Sequence, residues 1–508
     1  MELKSLEFLF FAFLVIIAYF GVYRIPKAQK YVLLGANTFF IWKAVGAKAL
    51  ILITGLCVVH YSVGICIDRF NEKKNKKKAK LFMWIGVVIA VAMLCYFKFF
   101  KQTFILIQQL IAEYGINVSD LITPIGISYY TLSMIAYIVD IYHKKYPAER
   151  NFVDFYVFIT YFPAIIQGPV NLYKKVGHQF KSNHEPNEEK IVMGLQRILW
   201  GYIKKVVIAD RIGILVNGVL QDQSAIMFTV FWSMVLYSFQ IYTDFSGGID
   251  VIMGFSEMIG IELTENFKSP LVSKNITEYW QRWHRSLGDF MEKYIYYPTV
   301  LNRKMMRMSK KMPGKYFQKV FSATLASVIV FIIVGIWHGT GWNYVIYGCY
   351  QAFFVSTAVL AGPVYKRINQ MLHISEKSIT WRLFQALRTF LILVFGRYFI
   401  RAGNLTQAFE LFRRTFENFR WDSIHVLFDD SLLIYGLDYK NMNVMYIGII
   451  VVIFVDIMNE KGIYFRNILM KQDICCRYIM YFIGIFTIII YGIYGPEFMS
   501  SSFIYQGY

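Results

Sequence analysis

The chain has 508 residues, of which 56% are hydrophobic and 18% aromatic, and its formal net charge is +20. A soluble globular protein of this composition would expose too much apolar surface, so the sequence predicts an all-α polytopic membrane protein. The basic residues are concentrated in a few loops between apolar runs, which argues against a nucleic-acid-binding domain and indicates loops retained in the cytoplasm.

Apolar runs predict a bundle of about 11–13 transmembrane or re-entrant helices, with amphipathic helices on the cytoplasmic side. No repeat period is visible, so the sequence gives no support to an inverted-repeat transporter. The first run has no small-residue cleavage site after it and is predicted to be retained. The predicted runs begin near Phe8, Tyr31, Ala49, Leu81, Leu121, Phe152, Met193, Met227, Val320, Trp342, Phe384, Val444 and Tyr478.

Two strongly basic loops, residues 69–80 and 303–319, fix the predicted topology. Both are expected in the cytoplasm, where they can also contact anionic lipid. The tail 495–508 then faces outward. We predict N-terminal transmembrane helices over 1–120, a catalytic core over 121–402, and C-terminal helices with the outward tail over 403–508.

A run of aromatic, polar and acidic residues at 237–250 includes Gln240, Asp244 and the glycine pair Gly247-Gly248. A buried carboxylate needs a partner, so Asp244 is expected either to hold a histidine tautomer or to cap a helix that breaks at the glycines. The second role is favoured. Gln240 and Asn343 are predicted to line or support a substrate tunnel.

The longest polar interruption, residues 261–319, is centred on the run from Thr277 to Leu287. Its spacing is typical of an amphipathic helix on the inner leaflet, and a functional role for His284 is an equal alternative. Arg282, Trp283 and Arg285 are the candidates for binding an acyl donor that carries phosphate groups.

His338 is the only histidine in a 46-residue stretch, 320–365, that contains no Asp, Glu, Lys or Arg. An ionisable group held in the membrane is a functional candidate, although it could instead only bond a neighbouring helix. The flanking glycines predict a loosened helix, with Trp337 and Trp342 as walls of a site. His338 lies about 18 residues, or roughly 27 Å, from the predicted inner surface.

The six cysteines show no metal-ligand spacing. Free thiols are therefore expected, with no structural metal and no bound cofactor.

In their order along the chain, these motifs resemble the membrane-bound O-acyltransferase (MBOAT) family, and in particular its bacterial branch that includes the alginate O-acetylation membrane subunit. The resemblance implies that His338, in the Trp-His-Gly motif, is the essential catalytic residue and that His284 is the second histidine. It rests on seven runs: Pro124 to Thr131, Phe162 to Pro169, Phe239 to Gly248, Asn266 to Pro270, Trp280 to Leu287, Ile336 to Gly339, and Phe395 to Ala402.

The end of the chain, Phe-Ile-Tyr-Gln-Gly-Tyr, is similar to the Phe-Ile-Tyr-Phe-Gln-Phe ending of that branch. This similarity implies that Tyr505 carries the acyl group outward. The last three residues depart from the pattern, and the alternative is an interfacial aromatic tail.

The resemblance implies acetyl transfer from cytoplasmic acetyl-CoA to an extracytoplasmic polysaccharide, in the bacterial cytoplasmic membrane. A separate extracytoplasmic SGNH esterase-like acetyltransferase is the expected partner for the last step. Two alternatives stay open: D-alanylation of teichoic acid, and a transporter or proton channel that uses His338 and Asp244 as a relay.

Overall fold

The structure is a computed structural model that describes residue 3 and residues 5–100, 126–417 and 420–494. This part of the chain is mainly helical and contains no β-strand, which confirms the all-α prediction. The apolar run near Leu121, the start of the Pro124 motif and the tail residue Tyr505 lie outside the described residues.

The longer α-helices in the described N-terminal part are α1 (Leu6–Gly21), α2 (Ala28–Glu72), α3 (Lys76–Cys95), α4 (Ile127–Tyr142) and α5 (Phe152–Thr160). Four short helical segments lie among and after them: Tyr96–Phe100, Phe162–Ile165, Tyr173–Val176 and Gly177–Lys181. The runs predicted near Tyr31 and Ala49 are the two arms of α2, which is kinked at Gly46. Gly46 has φ 82° and ψ 173°, a backbone conformation that is available mainly to glycine.

Three helices follow in the middle of the chain: α6 (Glu188–Tyr202), α7 (Asp210–Gln221) and α8 (Met227–Met258), with a π-helical segment Ile203–Ala209 between the first two. The predicted break at Gly247-Gly248 is wrong, because α8 runs through both glycines. A Cβ atom on Gly247 would lie 2.8 Å from the carbonyl oxygen of Gly201. This glycine therefore lets two helices approach closely and does not end one.

The described part of the chain after α8 contains both short helices and long apolar ones. Its main α-helices are α9 (Ile276–Arg282), α10 (Arg285–Met291), α11 (Arg303–Lys310), α12 (Lys315–His338), α13 (Trp342–Leu360), α14 (Gly362–Met371), α15 (Ile379–Arg401), α16 (Leu405–Phe416), α17 (Tyr439–Glu460) and α18 (Ile474–Tyr491). Shorter segments are Pro270–Val272, Glu292–Tyr296, Tyr297–Val300 and Phe465–Met470. Two 3-10 helices, Trp421–Leu427 and Asp430–Tyr435, lie between α16 and α17.

Among the described residues, six helices are long and apolar enough to cross a membrane, namely α2, α3, α12, α15, α17 and α18. The pair α13 and α14, bent by 61°, would make a seventh span, and α1 is a shorter apolar helix. The chain is therefore a multi-pass membrane protein. The sequence predicted 11–13 transmembrane or re-entrant helices because shorter and more polar runs were counted as well. That number stays a prediction.

The described residues form two compact units. The first contains residues up to 198 together with 248–264, and a buried ion pair between Lys30 and Asp154, 2.7 Å long, joins α2 to α5 within it. The second contains residues 199–247 and those from 265 onward. All predicted site residues that the structure describes belong to this second unit.

Candidate active site

His338 is the last residue of α12, and only 4% of its surface is exposed. Gly339 continues the chain in an extended conformation, and α13 begins at Trp342. The predicted loosening of the helix at His338 is therefore confirmed. Gly335 and Gly348 have no room for a Cβ atom, because backbone atoms of the facing helix lie against them. The two helices thus form a tight hairpin whose turn carries the histidine.

His284 occupies the turn between α9 and α10 and is 2% exposed. Its backbone lies in the left-handed region, with φ 49° and ψ 49°. Such a conformation is costly for a residue other than glycine and often marks a functional site. The turn is therefore a better functional candidate than a helix that only lies on the membrane surface.

A neighbouring loop holds the His284 turn in place through Asn266. The backbone N–H of Arg285 donates to the Asn266 carbonyl (2.9 Å), and both the N–H and the hydroxyl of Ser286 donate to the Asn266 side-chain oxygen (3.1 and 2.7 Å). Phe245 of α8 packs edge-on against the His284 ring, with centroids 5.0 Å apart. Hydrogen bonds and packing together thus fix the strained turn.

Trp337 brings the two histidines into one site. Its ring centroid lies 5.8 Å from that of His284 and 5.1 Å from that of His338. The His338 ring also contacts the buried ring of Tyr347, with centroids 6.3 Å apart. The structure thus brings together the two histidines that the sequence predicted, both in contact with a single indole.

Burial lowers the pKa of His284 to about 3, because desolvation disfavours the charged imidazolium. The ring is therefore neutral near pH 7. A neutral imidazole can accept or donate a hydrogen bond and can act as a base, but it cannot supply a positive charge to the donor's phosphates.

Asp244 is fully buried, and its carboxylate pairs with Lys205 at 2.5 Å. Lys205 lies in the π-helical segment and also pairs with Asp210 at 2.8 Å. The expectation that a buried Asp244 needs a partner is thus met by a lysine. The sequence analysis did not single out Lys205, although two adjacent lysines in the apolar run from Ile203 to Ala209 were a visible signal.

The candidates for donor binding have other partners in the structure. Arg282 forms a two-point ion pair with Glu460 (2.5 and 2.9 Å) and also binds Glu278 at 2.6 Å. Trp283 is buried and stacks on Tyr279, with centroids 5.6 Å apart. Donor binding by these residues and by Arg285 stays a prediction, and it requires phosphate groups to compete with the carboxylates around Arg282.

Of the other predicted site residues, Asn343 and Gln240 are buried and Trp342 is exposed. Asn343 donates to the carbonyl oxygens of Phe399 (3.0 Å) and Ala402 (2.9 Å), so it joins the start of α13 to the end of α15. Gln240 is buried, and its amide nitrogen lies over Gly213. Trp342 is 72% exposed, so the prediction that it forms a wall of the site is wrong.

The sequence model of the membrane-bound O-acyltransferase family matches residues 143–399, a little over half of the chain. Both histidines and Trp337 fall within this match. The chain belongs to the MBOAT family. It is therefore a membrane O-acyltransferase, and this result replaces the transporter interpretation.

The chain is similar to proteins whose names give alginate, peptidoglycan or teichoic acid as the substrate. The chain is 29% identical to the probable alginate O-acetylase of Pseudomonas aeruginosa over 81% of this chain and 74% of that protein. It is also 29% identical to the peptidoglycan O-acetyltransferase of Helicobacter pylori, over 76% and 74%. The match to the teichoic acid D-alanyltransferase of Bacillus subtilis is 28% identical, over 47% and 59%. The predicted family is confirmed, and so is the predicted similarity to alginate O-acetylases.

Proposed function

We propose that this MBOAT protein transfers acetyl groups from cytoplasmic acetyl-CoA to an extracytoplasmic polysaccharide. The two O-acetyltransferase relatives support acetyl as the acyl group, since each covers about three quarters of this chain or more. The observation that carries the proposal is the contact of both His284 and His338 with Trp337, because it places two imidazoles in one buried site.

In the proposed reaction, the hydroxyl of Tyr505 attacks the thioester carbonyl of acetyl-CoA. A C–O bond to the tyrosine forms, and the C–S bond breaks. Since a tyrosine hydroxyl has a pKa of about 10, it needs a base near pH 7. His338 takes the hydroxyl proton and returns it to the departing thiolate, which leaves as free coenzyme A. His284 orients a reacting group or passes the proton.

The proposal also includes a place and a partner. The protein would lie in the bacterial cytoplasmic membrane with its tail, 495–508, on the outer side. A separate extracytoplasmic enzyme of the SGNH esterase type would take the acetyl group from Tyr505 and transfer it to a polysaccharide hydroxyl.

Incubation of the purified protein with isotope-labelled acetyl-CoA, followed by peptide mass spectrometry, tests the donor and the carrier. We expect label on Tyr505 in the wild-type protein and none in His338→Ala. His178→Ala is the matched control, because His178 is exposed and lies in the first unit. Absence of label from the wild-type protein would contradict acetyl-CoA as the donor.

A cell-based experiment tests the carrier step separately. In a deletion strain, Tyr505→Phe should abolish O-acetylation of the polymer while the protein remains at its normal amount in the membrane. Normal acetylation in that strain would rule out Tyr505 as the carrier.

D-alanyl transfer to teichoic acid is the second candidate, and the match to the Bacillus subtilis D-alanyltransferase favours it. The same protein would then take its acyl group from a D-alanyl carrier protein. Label transfer from that carrier, without transfer from acetyl-CoA, would select this candidate.

A further inference from the structure

Arg397 of α15 is a buried cation that joins the surroundings of the two histidines. It is 3% exposed, and its guanidinium donates to the hydroxyl of Tyr279 at 2.6 Å. The guanidinium carbon lies 5.2 Å from the ring centroid of Trp283, and Arg397 also forms a hydrogen bond with Tyr347. Arg397 therefore contacts α9, the turn that follows it, and α13.

Two of the residues that Arg397 contacts, Trp283 and Tyr347, are neighbours of a histidine. Trp283 is the residue before His284 in the strained turn. Tyr347 has its ring against that of His338, with centroids 6.3 Å apart. The planar guanidinium thus connects the backbone that carries one histidine to the ring that packs on the other.

The residue before Arg397, Gly396, packs closely against α13. A Cβ atom on Gly396 would lie 3.0 Å from the side-chain nitrogen of Gln351 and 3.2 Å from the Tyr350 ring, so a larger residue would push these side chains of α13 aside by a few tenths of an ångström. Gln351 in turn accepts a hydrogen bond of 3.1 Å from the indole N–H of Trp280 in α9. A second polar bridge therefore joins α9 to α13 beside Arg397.

We propose that Arg397 is a positioning residue that sets the His284 turn relative to His338. This inference rests on the proposed function of the two histidines. Arginine suits the role because its flat guanidinium can lie over an indole and donate to two hydroxyls at fixed angles. Lysine keeps the charge but has no planar fork, and glutamine keeps a planar donor but has no charge. Neither can reproduce all three contacts.

Single-turnover transfer of labelled acyl groups to the purified variants Arg397→Lys and Arg397→Gln tests the role. Here kcat is the limiting transfer rate at saturating donor, and KM is the donor concentration that gives half of that rate. We expect kcat to fall by about 10- to 100-fold, because small displacements of reacting groups cost about this much. KM for the acyl donor should change less than about threefold, since Arg397 itself does not hold the donor. Arg382→Lys is the matched control, because Arg382 is an exposed residue on the same helix. It should keep the wild-type kcat.

A double-mutant cycle separates positioning from a general structural role. If Arg397 acts through the turn, Arg397→Lys should lower kcat by less than about twofold when His284→Gln is already present. An unchanged loss in that background, or a wild-type kcat in Arg397→Lys alone, would overturn the proposal. Wild-type protein that transfers no acyl group from either donor would instead contradict the proposed function, so the two failures are distinguishable.

Discussion

The imidazole of His284 packs edge-on against the indole of Trp337, with ring centroids 5.8 Å apart and an interplanar angle of 71°. The first residue lies in a turn between two short helices, and the second is next to the end of a long apolar helix. Since the residue after Trp337 is His338, this one contact assembles the candidate active site from distant parts of the chain.

Replacement of Trp337 should therefore affect activity more than replacement of Trp342. We expect Trp337→Ala to lower acyl transfer by about 10- to 100-fold, because both histidines lose the wall that fixes their rings. Trp342→Ala should stay near wild-type activity, since Trp342 is largely exposed. Assays of label transfer on equal amounts of monodisperse protein check both. Equal losses in the two variants would contradict this assignment of the wall.

The low pKa of His284 predicts a specific dependence of stability on pH. The pKa of His284 is about 3 in the folded protein, below the usual value of 6.5. Above pH 6.5 the imidazole is neutral in both the folded and the unfolded chain, so the full stability of the protein is present there. The free energy of unfolding decreases as pH falls from 6.5 to 3, because the unfolded chain then binds a proton at His284 that the folded chain does not bind. At pH 5 the loss is about 2 kcal/mol.

Thermal unfolding of wild-type protein and His284→Gln, compared at pH 7.5 and pH 5, measures this contribution. Other acid-sensitive groups affect both proteins equally, so they cancel in the comparison. The wild-type Tm should fall more than the Tm of the variant on acidification. Parallel shifts in the two proteins would show that His284 is not held neutral by burial.

The two buried ion pairs of Lys205 predict which of two substitutions destabilises the protein more. Lys205→Met removes the cation that Asp244 and Asp210 share, whereas Asp244→Asn leaves the pair between Lys205 and Asp210 in place. Removal of one partner of a buried ion pair typically costs about 3–5 kcal/mol. We therefore expect Lys205→Met to lower the Tm and the yield of monodisperse protein more than Asp244→Asn does. The reverse order would contradict this reading of the network.

A methyl group at Gly247 should loosen the packing of α8. Its Cβ atom would lie 2.8 Å from a backbone oxygen, which cannot move aside as a flexible side chain can. We expect Gly247→Ala to be destabilising by about 1–3 kcal/mol. Gly55→Ala is the control, because no atom lies within 4 Å of a Cβ at this glycine of α2, and the change should be neutral or slightly stabilising. Differential scanning fluorimetry measures the Tm of both variants, and Gly247→Ala should have the lower Tm.

Several parts of the site were predictable from single residues and their immediate neighbours. The end of the helix at His338 follows from Gly339 and Gly341, and the need of Asp244 for a partner follows from the cost of a buried charge. The identity of that partner did not follow, because Lys205 lies 39 residues away. Arg397 was part of a recognised motif, yet its role depends on contacts with α9 and α13 that no local pattern contains.

The sequence by itself determined that this is an all-α membrane protein of the MBOAT family and that His338 and His284 are its candidate catalytic residues. Hydrophobic runs and short ordered motifs are local properties, and local properties are readable along a chain. The tertiary structure decided which side chains are in contact and where a helix continues. Trp337, and not Trp342, contacts the histidines, carboxylates surround Arg282, and α8 continues through Gly247. These outcomes depend on the packing of helices that are distant in sequence. Close packing at glycines and the pairing of buried charges stabilise one arrangement of these helices over others.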